Sequence, residues 1–387
     1  MQSSRGRKTA KIIRSGLALI LVIAATHLRA QNSAPNVDGF IFQPLGSAKA
    51  LPGTQRNSHA STVVELKDGD VMAAWFGGSR EGAPDVAIYG ARLHGGAWSA
   101  PAELARAMGV PCWNPVLFHT RDGRLWLYYK YGPKPATWAG ARKWSRDEGR
   151  TWSNEERLPP GILGPIKDKP LVLPDGVIVS GSSVESAGWN AWIERSADNG
   201  NTWTKFGPIT VPESADVPDD STIAEIRSKL APTGGHYPPR TITVGIIQPS
   251  VVWVGWHHLR FYARSQTRSA LIAVSDSEDD GRSWTQAHFI ALPNPNSGID
   301  AVRLKDGRVV LAFNNSFDKR SPLNLAISAD GEHFRVFQTL EDGLGEYSYP
   351  ALVEAANGDL LVTYTWQRQT IKFVRVPLGT VPMNQGP

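Results

Sequence analysis

The sequence predicts an all-β chain folded as a six-bladed β-propeller. Two repeats and their spacing carry that expectation. One repeat is the pattern S-x-D-x-G-x-[ST]-W. The other is an Asp-Gly or Asn-Gly dipeptide between two apolar runs. Each recurs at intervals of about 50 residues.

The dipeptide repeat gives the blades in order. It stands at Asp68-Gly69, Asp122-Gly123, Asp175-Gly176, Asp306-Gly307 and Asn357-Gly358. Such dipeptides between apolar runs signal tight hairpins, because Gly supplies the positive φ that the turn needs. Asp68 to Asp122 is 54 residues, Asp122 to Asp175 is 53 and Asp306 to Asn357 is 51. The 131 residues from Asp175 to Asp306 hold one further unit and an insertion. That unit lacks the dipeptide and turns near Gly255, after Ser250 to Val254. The insertion is expected at 211–240, which is rich in Pro, Gly and charge, with a short helix near 222–230.

The second pattern starts at Ser145, Ser196 and Ser277, each copy ending on a Trp (Trp152, Trp203, Trp284). A shortened copy starts at Ser328, and a degenerate one covers Gly95 to Trp98. Asp and Ser side chains in such a turn bond nearby amides, and the Trp packs where the next strand begins. With two hairpins per unit, each unit makes a four-stranded blade. Six radial blades protect their edges. The propeller is expected over residues 36–387.

Residues 1–30 read as a signal peptide. Arg5, Arg7, Lys8, Lys11 and Arg14 precede an apolar run from Gly16 to Ala25 that is short for a membrane span, and Ala30 suits a cleavage site. The protein is therefore expected in the periplasm or secreted, free of the membrane after cleavage, and a monomer. The leader also explains the charge. It holds six of the 41 basic residues and no acidic ones, so the remainder carries 35 basic against 36 acidic. Nothing there favours nucleic acid or an anionic membrane. The single cysteine, Cys112, rules out an intrachain disulfide and sits in an apolar strand-like run. No metal-ligand spacing is evident, and no cofactor is expected.

Ligand-binding side chains of a propeller come from the innermost strands and the loops at one mouth of the channel. Those positions hold His59, Asp85, Asn114, Lys130, Lys169, Glu185, Gln248, Arg264, Asp300, Glu346, Tyr347, Tyr349 and Arg368. A dense polar ring at the ends of apolar strands suggests a ligand site. Trp75, Trp113, Trp138, Trp189 and Trp366 suit stacking on sugar faces. Lys167 is expected to be more solvated than Lys169. Tyr347 and Tyr349, two apart, are expected to share a strand face. The repeat aspartates are expected to be structural.

The repeats, with the segments Asn57-Ser-His-Ala-Ser-Thr, Trp75-Phe-Gly-Gly, Cys112-Trp-Asn-Pro and Tyr347-Ser-Tyr-Pro-Ala, resemble the sialidase-like Asp-box (BNR repeat) superfamily. The resemblance implies an exo-acting glycosidase on a terminal acidic or uronate-linked sugar of a glycan or polysaccharide. It implies Tyr347 as nucleophile, Glu185 as the group that primes it, Asp85 as acid/base and Arg264 as carboxylate binder. A full set of three carboxylate-binding arginines is not visible. Ser58-His59-Ala60 stands where the first would be. His59 as acid or base, with Lys130, Lys169 and Arg264 on a uronate, suits a polysaccharide lyase or an α-L-rhamnosidase on the same fold. A non-catalytic glycan-binding propeller is the third reading. Asn114, Gln248, Asp300, Tyr349 and Arg368 are expected to contact substrate.

Overall fold

The computed structural model describes residues 38–44, 56–186, 188–211, 245–266 and 269–380. The expected leader, the helix near 222–230 and all of the insertion except Val211 lie outside them. The described residues build six antiparallel sheets and no α-helix. No helix among them is long and apolar enough to cross a membrane.

The six innermost strands are Asn57–Glu65, Cys112–His119, Leu171–Val172, Gly245–Trp253, Asp300–Arg303 and Tyr347–Glu354, for blades 1 to 6. Three further strands lie outward in each of blades 2 to 5. Blade 1 has four, because Ala102–Ala105 also pairs with Ala87–His94. Blade 6 has only three consecutive strands. Its fourth is Gly39–Phe40 from the start of the described chain, antiparallel to Thr370–Val376. The ring is closed by this pairing of distant segments.

Both sequence repeats form the expected hairpins. Inner hairpins turn as at residues 66–70, where the Leu66 amide bonds the Asp70 carbonyl at 2.8 Å and the Gly69 amide bonds the Leu66 carbonyl at 2.9 Å. Gly69 sits at φ 84° there, a conformation that costs other residues. In the outer hairpins the Ser145 hydroxyl accepts from the Gly149 amide (2.8 Å) and donates to Asp147 (2.7 Å), and Asp147 accepts from the Thr151 amide and hydroxyl. The turns at Asp198 and Asp279 repeat this set. In the shortened copy the His333 imidazole replaces the hydroxyl on Asp330 at 2.8 Å. These bonds consume the aspartates' oxygens, so their role is structural.

Apolar side chains fill the wedges between blades. Ala60, Phe76, Trp113, Leu117 and Tyr129 join blades 1 and 2. Cys112 belongs to this wedge, and burial pushes its thiol up to about 12, which keeps it protonated and inert.

A further repeat bears directly on the site. Four inner strands slip register at one equivalent place, at Ala60, Asn114, Gln248 and Tyr349. All four have positive φ, of 54°, 37°, 57° and 51°. Such bulges re-aim side chains.

Candidate active site at the channel mouth

The bulge in blade 6 separates the two tyrosines. Tyr347 turns away, into the apolar wedge with Val310, Leu323 and Trp366, its hydroxyl 3.3 Å from the Leu344 carbonyl. Tyr349 turns the other way, against His59 with ring centroids 4.2 Å apart. The expected shared face is thus lost. The mouth receives Tyr349, and the residue read as nucleophile from the resemblance does not reach it.

Cations surround Tyr349. Arg264 donates to its hydroxyl oxygen. The Arg264, Arg320 and Lys167 cations lie 5.5, 5.6 and 5.9 Å from its ring centroid, within cation–π range. Arg264 is itself held between Tyr349 and Trp189, 5.0 Å from the latter's ring. It also donates to Gln248 (3.3 Å) and to the side chain and carbonyl of Asn296 (3.1 and 2.9 Å). It is 5% exposed and pairs with no carboxylate among the described residues. Burial lowers its pKa.

Two more arginines complete the cluster. Glu346 accepts from Arg320 at 2.7 Å and from Arg368 at 3.0 Å. Burial works against ionising Glu346, but the two arginines hold its pKa below the usual value. Arg368 also reaches Glu81 in the first-blade loop. It lies in the tight turn from Trp366 to Gln369, whose two central residues, Gln367 and Arg368, have φ 49° and 56°. Such turns favour Asn-Gly, and each non-Gly residue there costs about 1–2 kcal/mol. The strain is paid where it aims an arginine at the mouth. Three arginines, Arg264, Arg320 and Arg368, therefore gather where the sequence showed two, Arg264 and Arg368. Arg320 escaped notice because it lies in an irregular loop without a repeat signature.

His59 lies beneath this cluster. Its Nδ1 is 2.9 Å from the Thr365 hydroxyl, and its buried Nε2 has no partner among the described residues. Burial and the charges of Arg368, Arg320, Arg264 and Lys167 hold its pKa well below the usual imidazole value. It is neutral at pH 7. Glu185 is half-buried and close enough to Arg264 to feel its charge, which opposes an upward pKa shift caused by desolvation.

Other candidates sit elsewhere. Lys169 and Asp300 pair with each other at 2.9 Å, and Asp300 also accepts from the Ser250 hydroxyl and the Leu352 amide, both at 2.8 Å. They tie the inner strands of blades 4 to 6 to the chain entering blade 3. Lys167, expected to be solvated, is 2% exposed. It donates to Asp168 and to the Ile299 and Pro350 carbonyls. Burial raises Asp168 to about 7 against the pull of Lys167. Asp85 is exposed and spends its carboxylate on the Ser79 amide (2.9 Å) and hydroxyl (2.8 Å). Asn114 is buried at its bulge. Trp75 is fully buried and stacked on Phe42, so it is core and does not meet sugar.

Lys130 is fully buried and bonds the Pro165 carbonyl. Burial brings its pKa down to about 7, below the unfolded value of about 10.4. Between those values the unfolded chain binds more protons, so stability rises with pH and is lost as pH falls towards 7. The thermal midpoint should therefore rise from pH 7 to 9, and Lys130→Met should flatten the rise. Equal slopes in both proteins would show that Lys130 keeps its proton when folded.

A six-bladed propeller with a buried arginine and tyrosine cluster at one channel mouth is the architecture of sialidase-like proteins. The sequence matches the BNR repeat-like domain over residues 69–362, and the chain belongs to that family. No curated protein sequence matches it. Among solved structures it is similar to the NanB sialidase from Streptococcus pneumoniae (TM-score 0.63, 14% identity, 89% of this chain and 71% of that chain). It is also similar to a protein of unknown function from Dyadobacter fermentans (TM-score 0.67, 16% identity, 88% and 98%). A third is the intramolecular trans-sialidase from Ruminococcus gnavus (TM-score 0.61, 15% identity, 88% and 99%). At these identities the likeness is one of fold.

Proposed function

We propose that this protein is an exported glycosidase that removes a terminal sugar bearing a carboxylate. One observation carries the reading: Arg264 is a buried cation that forms no ion pair with a carboxylate among the described residues, and it is bonded to Tyr349 at the mouth. Burying an unpaired charge is costly, so such a site favours an anionic ligand. Arginine also matches the planar fork of a carboxylate. Arg320 and Arg368 stand behind Glu346 and add positive potential.

In this reading the substrate carboxylate binds Arg264, and the Tyr349 oxygen attacks the anomeric carbon. A neutral phenol suits that attack, because a carboxylate nucleophile would be repelled by the substrate's own carboxylate. The Tyr349 proton passes to Glu185 or His59. The leaving oxygen takes a proton from an acid on the first-blade rim, a role Asp85 fills on leaving its bonds to Ser79. The anomeric carbon is then held on Tyr349 until water displaces it with retention.

His59 supports a second reading. A neutral, buried imidazole whose Nε2 has no partner among the described residues is suited to take a C5 proton from a uronate, as a lyase requires.

The test is to incubate the protein with 4-methylumbelliferyl glycosides of N-acetylneuraminic and glucuronic acid, and with uronate polysaccharides. Release of fluorophore supports the glycosidase, and Arg264→Ala should lower kcat/KM by about a hundredfold (~3 kcal/mol). Ultraviolet absorbance of an unsaturated uronate would replace it with the lyase. Binding of these glycans without turnover would sink both.

A further inference from the structure

A cleft of about 550 Å³ lies between blades 2 and 3, beside the site. That is within the range of small-molecule sites, roughly 300–1,000 Å³. One wall comes from blade 2, with Tyr131, Trp138 and the short 3-10 turn Pro135–Thr137. The other is the connection to blade 3, with Pro159 and Pro160. Glu185 and Lys205 lie on the blade 3 side.

Three features identify an occupant. The first is continuity. Glu185 lines the cleft and also lies within the electrostatic reach of Arg264, so a molecule held at the mouth has the cleft next to it. The second is the lining. Trp138 is half-buried, with its ring edge-on to Trp113 at 6.1 Å, which fixes its orientation. Rigid rings and prolines offer flat apolar faces at little entropic cost. Such faces complement the C–H faces of pyranose rings. The third is charge. Arg157 lies 5.5 Å from the Tyr131 ring, and Lys205 is engaged with the Gly161 carbonyl at 2.9 Å and with Glu194. Glu185 joins them in the lining, which therefore mixes both signs and is not built for an anion.

We infer that this cleft is a subsite for neutral sugar rings on the leaving-group side of the glycan, given the glycosidase reading above. The reacting sugar sits at Arg264 and Tyr349, and the chain it is cut from runs over Glu185 onto Trp138. The protein should then prefer an oligosaccharide to an aryl glycoside with the same terminal sugar.

The experiment has two arms. In the first, lactose, cellobiose and xylobiose are titrated into wild type while tryptophan fluorescence is followed. At least one should bind with a Kd in the millimolar range, and Trp138→Ala should weaken it at least tenfold. In the second, Ala136→Trp fills the cleft. It should raise KM about tenfold for an oligosaccharide substrate, while turnover of the aryl glycoside stays within twofold. Matching thermal midpoints would show that the variants fold. The first arm needs no turnover, so it tests the cleft even if the glycosidase reading fails. Absence of binding by all three sugars, or equal binding in Trp138→Ala, would overturn the subsite. Equal loss on both substrates in Ala136→Trp would also overturn it.

Discussion

Tyr349→Phe should lower kcat on the cleaved substrate by about a thousandfold or more, while Tyr347→Phe should keep most of the activity. A lost nucleophile typically costs that much. The phenylalanine keeps the ring between His59 and the cations of Arg264, Arg320 and Lys167. Only the oxygen disappears, and with it one acceptor of Arg264. The cost in stability should be about 1 kcal/mol, so a kinetic loss cannot be put down to unfolding. Tyr347 by contrast holds its hydroxyl over the Leu344 carbonyl in the wedge between blades 5 and 6. The reverse pattern, with Tyr347→Phe inactive and Tyr349→Phe active, would move the nucleophile back to Tyr347.

That pair of tyrosines shows how far the sequence could be read. The blades were legible because their signals are local. An Asp-Gly turn or a Ser–Asp–Thr turn is made by residues within seven positions, and its chemistry is written in the residues themselves. The strand alternation that places Tyr347 and Tyr349 on one face is also local, but it assumes regular extended backbone. Tyr349 at φ 51° breaks it. A signal for the break was present. Asn114-Pro115, Gln248-Pro249 and Tyr349-Pro350 occupy equivalent positions, and each carries the bulge. His59, Gln248 and Arg264 were found because they lie on strands that the repeats locate. Arg320 was not, since its place depends on how an irregular loop of blade 5 meets Glu346, 26 residues on. The roles of Lys169 and Asp300 were misread for a related reason. A polar residue facing a channel can meet a ligand or another inner strand, and only the closed ring shows which.

Asp300 is the position where that distinction has its largest consequence. Its two carboxylate oxygens, buried at the channel, take bonds from Lys169, Ser250 and the Leu352 amide. Asp300→Ala removes the acceptor and leaves the Lys169 ammonium and the Leu352 amide without it. Breaking a buried pair in this way costs about 3–5 kcal/mol. In a chain of this size that corresponds to a fall in thermal midpoint of about 4–7 °C. Lys169→Met should cost less, because Asp300 keeps its other donors. A double-mutant cycle should then show coupling between the two residues. The damage should also reach the site. Leu352 lies three residues after Tyr349 on the same inner strand, and Lys167 grips the Pro350 carbonyl between them. Loosening Asp300 frees one of two anchors on the strand that aims Tyr349. A small displacement there is costly for a reaction that depends on alignment. Activity measured well below the lowered midpoint should therefore fall at least tenfold. An unchanged midpoint and full activity in Asp300→Ala would show that the inner strands hold their positions without the pin, and would return Asp300 to the list of substrate contacts.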